Sequence, residues 1–180
     1  NYPEQVLRLP HAFSSRWRQP MAGISRSNFG LPDEAVVFCC FNRGDKINAS
    51  TFSSWMKILE AVPGSLLWLA VKPKALQRLK AQAQKRGINP HRLVAAPYQK
   101  PVQRFIAAMA CADLFLDTAG FNAGAIGVLA LNAGLPLITI AGDRFCARMG
   151  ASLCNAVHQP QLITTTPEAY QQKAIELATT

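Results

Sequence analysis

Val36-Val37-Phe38-Cys39-Cys40-Phe41 runs straight into Asn42-Arg43-Gly44-Asp45-Lys46, so a wholly apolar segment hands over to an amide, a guanidinium and an ammonium. Side chains of that kind hold anions. An unbroken apolar run bounded by turn residues suits a parallel strand buried on both faces. Ligands of open parallel sheets sit beyond the carboxyl ends of the strands. Asn42, Arg43 and Lys46 would then line an anion crevice; the alternative is a turn with ordinary surface charges.

The elements that must position this turn follow from the rest of the pattern. Strand-like segments near Ala35–Phe41, Leu66–Val71, Leu93–Ala96, Leu114–Asp117 and Leu135–Ile140 alternate with helix-like ones, and a short edge strand is expected near Leu162–Thr164. Such alternation implies right-handed crossovers and a parallel sheet covered by helices. The expected helices are Thr51–Val62, Lys74–Arg86, Pro101–Cys111, Ile126–Ala133, Phe145–Asn155 and Pro167–Leu177. Ser50 is a candidate cap for the first, with Pro63-Gly64 as its stop, and Thr166 before Pro167 marks the last. Residues 1–32 mix Pro, Ser, Gly and Arg without periodicity and read as a lead-in or interlobe segment; residues 33–180 form the domain proper.

Composition narrows the class. The chain carries 19 basic and 10 acidic residues, net +9, and no acid between Glu60 and Asp113, an interval holding Lys72, Lys74, Arg78, Lys80, Lys85, Arg86, Arg92, Lys100 and Arg104. That surface suits a nucleotide diphosphate, a nucleic acid or an acidic partner, or is simply a solvated face. Nucleic acid ranks last, because no aromatic interleaving or groove-reading motif accompanies the charge. Cys39, Cys40, Cys111, Cys146 and Cys154 are odd in number and lack CxxC spacing, which points to buried reduced thiols. His11, His91 and His158 are scattered, so neither a metal nor another cofactor is expected. No membrane span or secretion signal is read, and a cytoplasmic location is expected.

The wording of the segments around the turn resembles the carboxyl-terminal catalytic region of the O-linked N-acetylglucosamine transferase (SPINDLY-like) family. The residues that carry the likeness are Val36–Asn42 with Lys46-Ile47, then Trp55, Ile58, Leu59 and Val62–Leu69, then Cys111–Thr118, Ala133–Pro136 and Arg148–Leu153. It covers nearly the whole chain. The resemblance implies a Rossmann-like parallel sheet with helices on both faces, like the carboxyl-terminal lobe of a GT-B glycosyltransferase, binding a UDP-sugar without a metal. It also implies a longer parent, with an amino-terminal lobe, tetratricopeptide helical repeats and a protein acceptor.

Site residues follow from the same likeness. Lys46 matches the family's active-site lysine, whose charge offsets that growing on the departing nucleotide. Asp45 next door is placed to neutralise part of it. Asn42 matches, while Arg43 stands where the family usually has Gln. Tyr98 and Lys100, after the Leu93–Ala96 strand, are candidates for a base platform and a phosphate cation, in a loop that lacks the usual Glu-His pair. The family normally carries a His-Thr-Thr on the diphosphate and an Asp on the ribose; here Asn122-Ala123 is followed by Gly124, Ala125 and Ile126, and Leu129 replaces the Asp. What remains is backbone: Asn122, Gly124, Ala125 and Ile126 open a helix whose free amides face an anion. The expected function is a UDP-sugar donor lobe with a degenerate diphosphate site. The alternative is a non-catalytic binding or scaffolding domain that kept the fold.

Overall fold

Six short apolar segments become strands: β1 (Val37–Cys40), β2 (Leu66–Leu69), β3 (Leu93–Ala95), β4 (Leu114–Leu116), β5 (Leu137–Ile140) and β6 (Ile163–Thr164). The computed structural model describes residue 5 and residues 18–180. Neighbouring strands are parallel throughout, in the order β3-β2-β1-β4-β5-β6. Chain order reverses between β1 and β4, and a crevice opens there because the two crossovers leave in opposite directions.

All four β1 side chains, Val37, Phe38, Cys39 and Cys40, are wholly buried. Since alternate strand residues point to opposite faces, both faces of the sheet are covered. The covering helices are α1 (Ala49–Ala61), α2 (Pro73–Gln84), α3 (Val102–Met109), α4 (Ala125–Asn132), α5 (Met149–Ala156) and α6 (Pro167–Thr179). Helix α1 buries Phe52, Trp55, Ile58 and Leu59 on one stripe. Gly64 follows at φ +78°, a conformation that costs a residue with a Cβ dearly. Cys39, Cys40, Cys111 and Cys154 are buried and unbridged, as the thiol reading expects, whereas Cys146 is only half-buried.

Two boundaries are corrected. The first helix is capped by Asn48 rather than Ser50: the Asn48 Oδ1 accepts from the Thr51 amide at 2.8 Å, so the helix begins two residues early. The helix expected over Phe145–Asn155 is broken into a 3₁₀ turn, Phe145–Ala147, followed by α5. The Ala147 and Arg148 amides donate three residues back, to the Arg144 and Phe145 carbonyls, the 3₁₀ pattern, and Arg148 at φ −114° separates that turn from α5. Thr166 caps α6 as expected, accepting from the Ala169 amide.

Residues 1–4 and 6–17, including His11, lie outside the described residues. The rest of the 1–32 segment is anchored. Arg26 donates to the carbonyls of Cys111, Asp33 and Ala35 and forks onto Asp113, while Leu31 is 4% exposed and the Phe29 ring packs tilted against Trp68, centroids 5.1 Å apart.

Candidate functional site

Three loops meet at the carboxyl edge of the sheet: the turn after β1, the Pro97–Lys100 loop after β3 and the stretch from Thr118 to α4 after β4. That shared edge is the geometry the parallel sheet requires. Beneath it, Asn42 is 1% exposed and donates from Nδ2 to the Asp117 carboxylate at 3.1 Å and the Thr118 hydroxyl at 2.8 Å. It belongs to the floor of the crevice and is not presented to solvent.

Lys46 is half-buried, and its ammonium donates to the Asn122 carbonyl at 2.9 Å while lying 3.9 Å from the centre of the Phe121 ring. Carbonyl and ring face together fix the cation at the mouth of α4. Asp45 does not pair with it. The Asp45 carboxylate forks onto Arg43 at 2.6 Å, both side chains largely exposed, and that contact holds its pKa below the usual carboxylate range. The arginine two residues back reaches the carboxylate with two donors, which a single ammonium cannot match.

Across the crevice, Gly124 is the N-cap of α4 and offers no side-chain cap; Ala125 begins the helix one residue before the expected Ile126. Ile126 and Leu129 are half-buried and pack against the core. Gly124, Ala125 and Ile126 therefore bring no polar side chain to the start of α4. On the β1–β3 flank lies a cavity of about 810 Å³, walled by Phe41, Val71, Ala96, Phe105 and Ile126, with Arg43, Lys72 and Lys100 at its margin. Tyr98 is 84% exposed there, and the Lys100 ammonium lies 5.6 Å from its ring.

Of the basic interval, Arg92 is withdrawn from the surface charge, because its guanidinium is spread over the carbonyls of Leu59, Val62 and Ser65. Arg148 and Ser152 lie on exposed positions, Arg148 donating to the Asp143 carbonyl. Among the described residues, no group of three His, Cys, Asp or Glu side chains could hold a metal ion, and no helix is long and apolar enough to cross a membrane.

In the sequence Asp117 ends a strand and belongs to the Cys111–Thr118 segment of the family likeness, with no site role of its own. In the structure Asp117 is 1% exposed, and burial pushes its pKa up to about 6 despite hydrogen bonds from Thr139, Ala123, Thr118 and Asn42. The Tyr170 hydroxyl, itself bonded by the Trp55 indole, donates to the Asp117 carbonyl at 3.1 Å. An acid directly after an apolar strand was the available signal, but its partners Thr139 and Tyr170 are far away in sequence.

A six-stranded, all-parallel sheet covered by helices on both faces is the architecture of a GT-B glycosyltransferase lobe. The sequence matches Glycosyl transferase family 41 over residues 10–180, and the chain belongs to that family. It is 32% identical over 190 residues to the probable UDP-N-acetylglucosamine–peptide N-acetylglucosaminyltransferase SEC of Arabidopsis thaliana, covering 98% of this chain and 19% of that protein. The UDP-N-acetylglucosamine–peptide N-acetylglucosaminyltransferase of Caenorhabditis elegans is 35% identical over 159 residues, covering 86% of this chain and 14% of the relative. A solved O-GlcNAc transferase mutant from Thermobaculum terrenum superposes with a TM-score of 0.77 at 29% identity, over 82% of this chain and 29% of that one. The chain thus spans about a fifth or less of the length of these curated relatives.

Proposed function

We propose that this chain is the UDP-sugar-binding lobe of a protein glycosyltransferase, with a diphosphate site that has lost most of its directed contacts. The observation that carries the reading is the Lys46 ammonium, held 2.9 Å from the Asn122 carbonyl where β1 and β4 open toward the amino end of α4. A cation fixed there offsets the charge that grows on a departing nucleoside diphosphate as the glycosidic bond breaks. Arg43 and Lys100 add charge at the rim, Tyr98 offers a face to the base, and Asn122, Gly124, Ala125 and Ile126 contribute backbone. Asn42 supports the turn from below.

The weakness is equally specific. Each hydrogen bond to a charged group contributes roughly 1.5–3 kcal/mol, and α4 supplies none from side chains at Gly124, Ala125 and Ile126. In this reading residues 1–32 lead from a second lobe into the donor lobe of residues 33–180. The parent then brings the amino-terminal lobe, helical repeats and access to a protein acceptor, in the cytoplasm.

One observation favours a second reading. Ile126 and Leu129 are committed to packing, which suits a scaffold that no longer takes a nucleotide. Calorimetric titration with uridine diphosphate separates the two: weak saturable binding that disappears in Lys46→Ala supports the donor lobe, and no heat for either protein supports the scaffold.

A further inference from the structure

We propose that Asp117 is the positioning residue of the crevice: its buried carboxylate closes the 118–123 loop and thereby sets where the Lys46 ammonium stands. The assignment goes beyond the donor-lobe reading and rests on it only for what Lys46 then meets. A single oxygen, Asp117 Oδ1, accepts from the Thr118 amide at 2.8 Å and from the Ala123 amide at 2.7 Å, so it ties both ends of the loop together. The same oxygen takes Asn42 Nδ2 at 3.1 Å from the turn after β1. Oδ2 takes the Thr139 hydroxyl of β5 at 2.8 Å.

Within the loop, Asn122 has little freedom left. Its amide donates to the Cys146 carbonyl at 2.8 Å, its Nδ2 to the Thr118 carbonyl at 3.0 Å, and its Oδ1 accepts from the Gly150 amide at 3.3 Å. The remaining carbonyl is the one that receives Lys46. The line of force is therefore Asp117 to loop, loop to Asn122, Asn122 to ammonium.

A neutral side chain would tie the loop with less desolvation, whereas a carboxylate makes the tie depend on ionisation. Among the described residues, no arginine or lysine bonds to Asp117, and burial raises its pKa to about 6. The titratable groups around it are Cys40 on β1, Cys154 on α5 and Tyr170 on α6, all pushed upward by burial, with Lys46 on the turn beyond; β5 and α4 contribute none. Near pH 6 Asp117 changes charge, while the thiols of Cys40 and Cys154 and the Tyr170 phenol, all raised by burial, stay neutral. Ionised, it receives charge-assisted hydrogen bonds, about twice as strong as neutral ones. Protonated, it grips the loop less tightly, and Lys46 gains freedom.

The test is an NMR pH titration of the chain, following the Asp117 carboxyl carbon, the Thr118 and Ala123 amides, the Lys46 Cε and the Phe121 ring. All should move with one midpoint near 6. In Asp117→Asn, which keeps an acceptor oxygen, the Lys46 and Phe121 shifts should lose that midpoint; in Thr139→Val, which removes one donor to the charged form, it should rise by about one unit. Lys46 and Phe121 signals that ignore the Asp117 midpoint, or keep it unchanged in Asp117→Asn, overturn the proposal. A uridine diphosphate titration of the same samples reads the other claim: if Lys46 follows Asp117 but no nucleotide binds, the positioning role stands and the donor reading fails.

Discussion

The two walls of the crevice differ in how completely they are determined. On the β1 and β4 side, Asn42, Asp117, Thr118, Asn122 and Thr139 are buried and bonded to one another, and Lys46 is set on top of them. On the α4 and β3 side, the helix opens on Gly124 and Ala125 without a polar side chain, and Tyr98 stands 84% exposed. One wall fixes a charge; the other opens on backbone and apolar side chains, with Arg43, Lys72 and Lys100 at its margin. Under the proposed function, the internal bonds that locate the cation persist because they also serve the core, and the wall that would grip the ligand does not.

The sharpest way to break this contrast is at Gly150. A Cβ there would lie 2.6 Å from Asp117 Oδ2 and against the Thr139 hydroxyl, neither of which is a flexible chain end. Gly150→Ala should destabilise the chain by roughly 3 kcal/mol or more in chemical denaturation, combining overpacking with broken buried hydrogen bonds. Ala125→Thr on the opposite wall, at an exposed position, should stay within about 0.5 kcal/mol. Equal losses at both positions would erase the distinction between the walls.

Stability against pH sharpens it next. Asp117 has a folded pKa raised to about 6 from 3.8, so the folded state binds the extra proton and is favoured when that proton is on. The contribution is fully present below pH 3.8 and is lost as pH rises through about 6. At one pKa unit per 1.36 kcal/mol, the swing approaches about 3 kcal/mol. Subtracting the profile of Asp117→Asn from that of the unmodified chain should isolate a falling limb between those two values; a rising or flat difference contradicts the assignment. The smallest effect belongs to the rim. The Arg43–Asp45 pair is 82% and 61% exposed, and Arg43→Ala should leave the denaturation midpoint unchanged.

How much of this was legible depends on the range of the interactions involved. The apolar run Val36–Phe41 and its neighbours announce parallel strands, since a strand buried on both faces cannot conceal its composition, and the loops at their carboxyl ends follow from topology. The Arg43–Asp45 fork was not legible, because proximity in sequence does not decide between a neighbouring ammonium and a guanidinium that can fork. Asp117 was illegible as a hub for a different reason: its donors come from residues 42, 118, 123 and 139, and only the folded sheet brings them to one carboxylate. The break between the 3₁₀ turn at Phe145–Ala147 and α5 was likewise not legible from apolar spacing, which is similar for the two helix types.

The central claim is that the chain places its cation but lacks the groups to grip a nucleotide. Calorimetric titration of uridine diphosphate into the unmodified chain, into Lys46→Ala and into the combined Gly124→His, Ala125→Thr and Ile126→Thr variant tests it most directly. Weak binding is expected for the unmodified chain, with a Kd of about 1 mM or above, no binding without Lys46, and at least tenfold tightening when the three side chains are supplied. Micromolar binding by the unmodified chain, abolished by Lys46→Ala and not improved by the three replacements, would contradict it and restore a complete donor site.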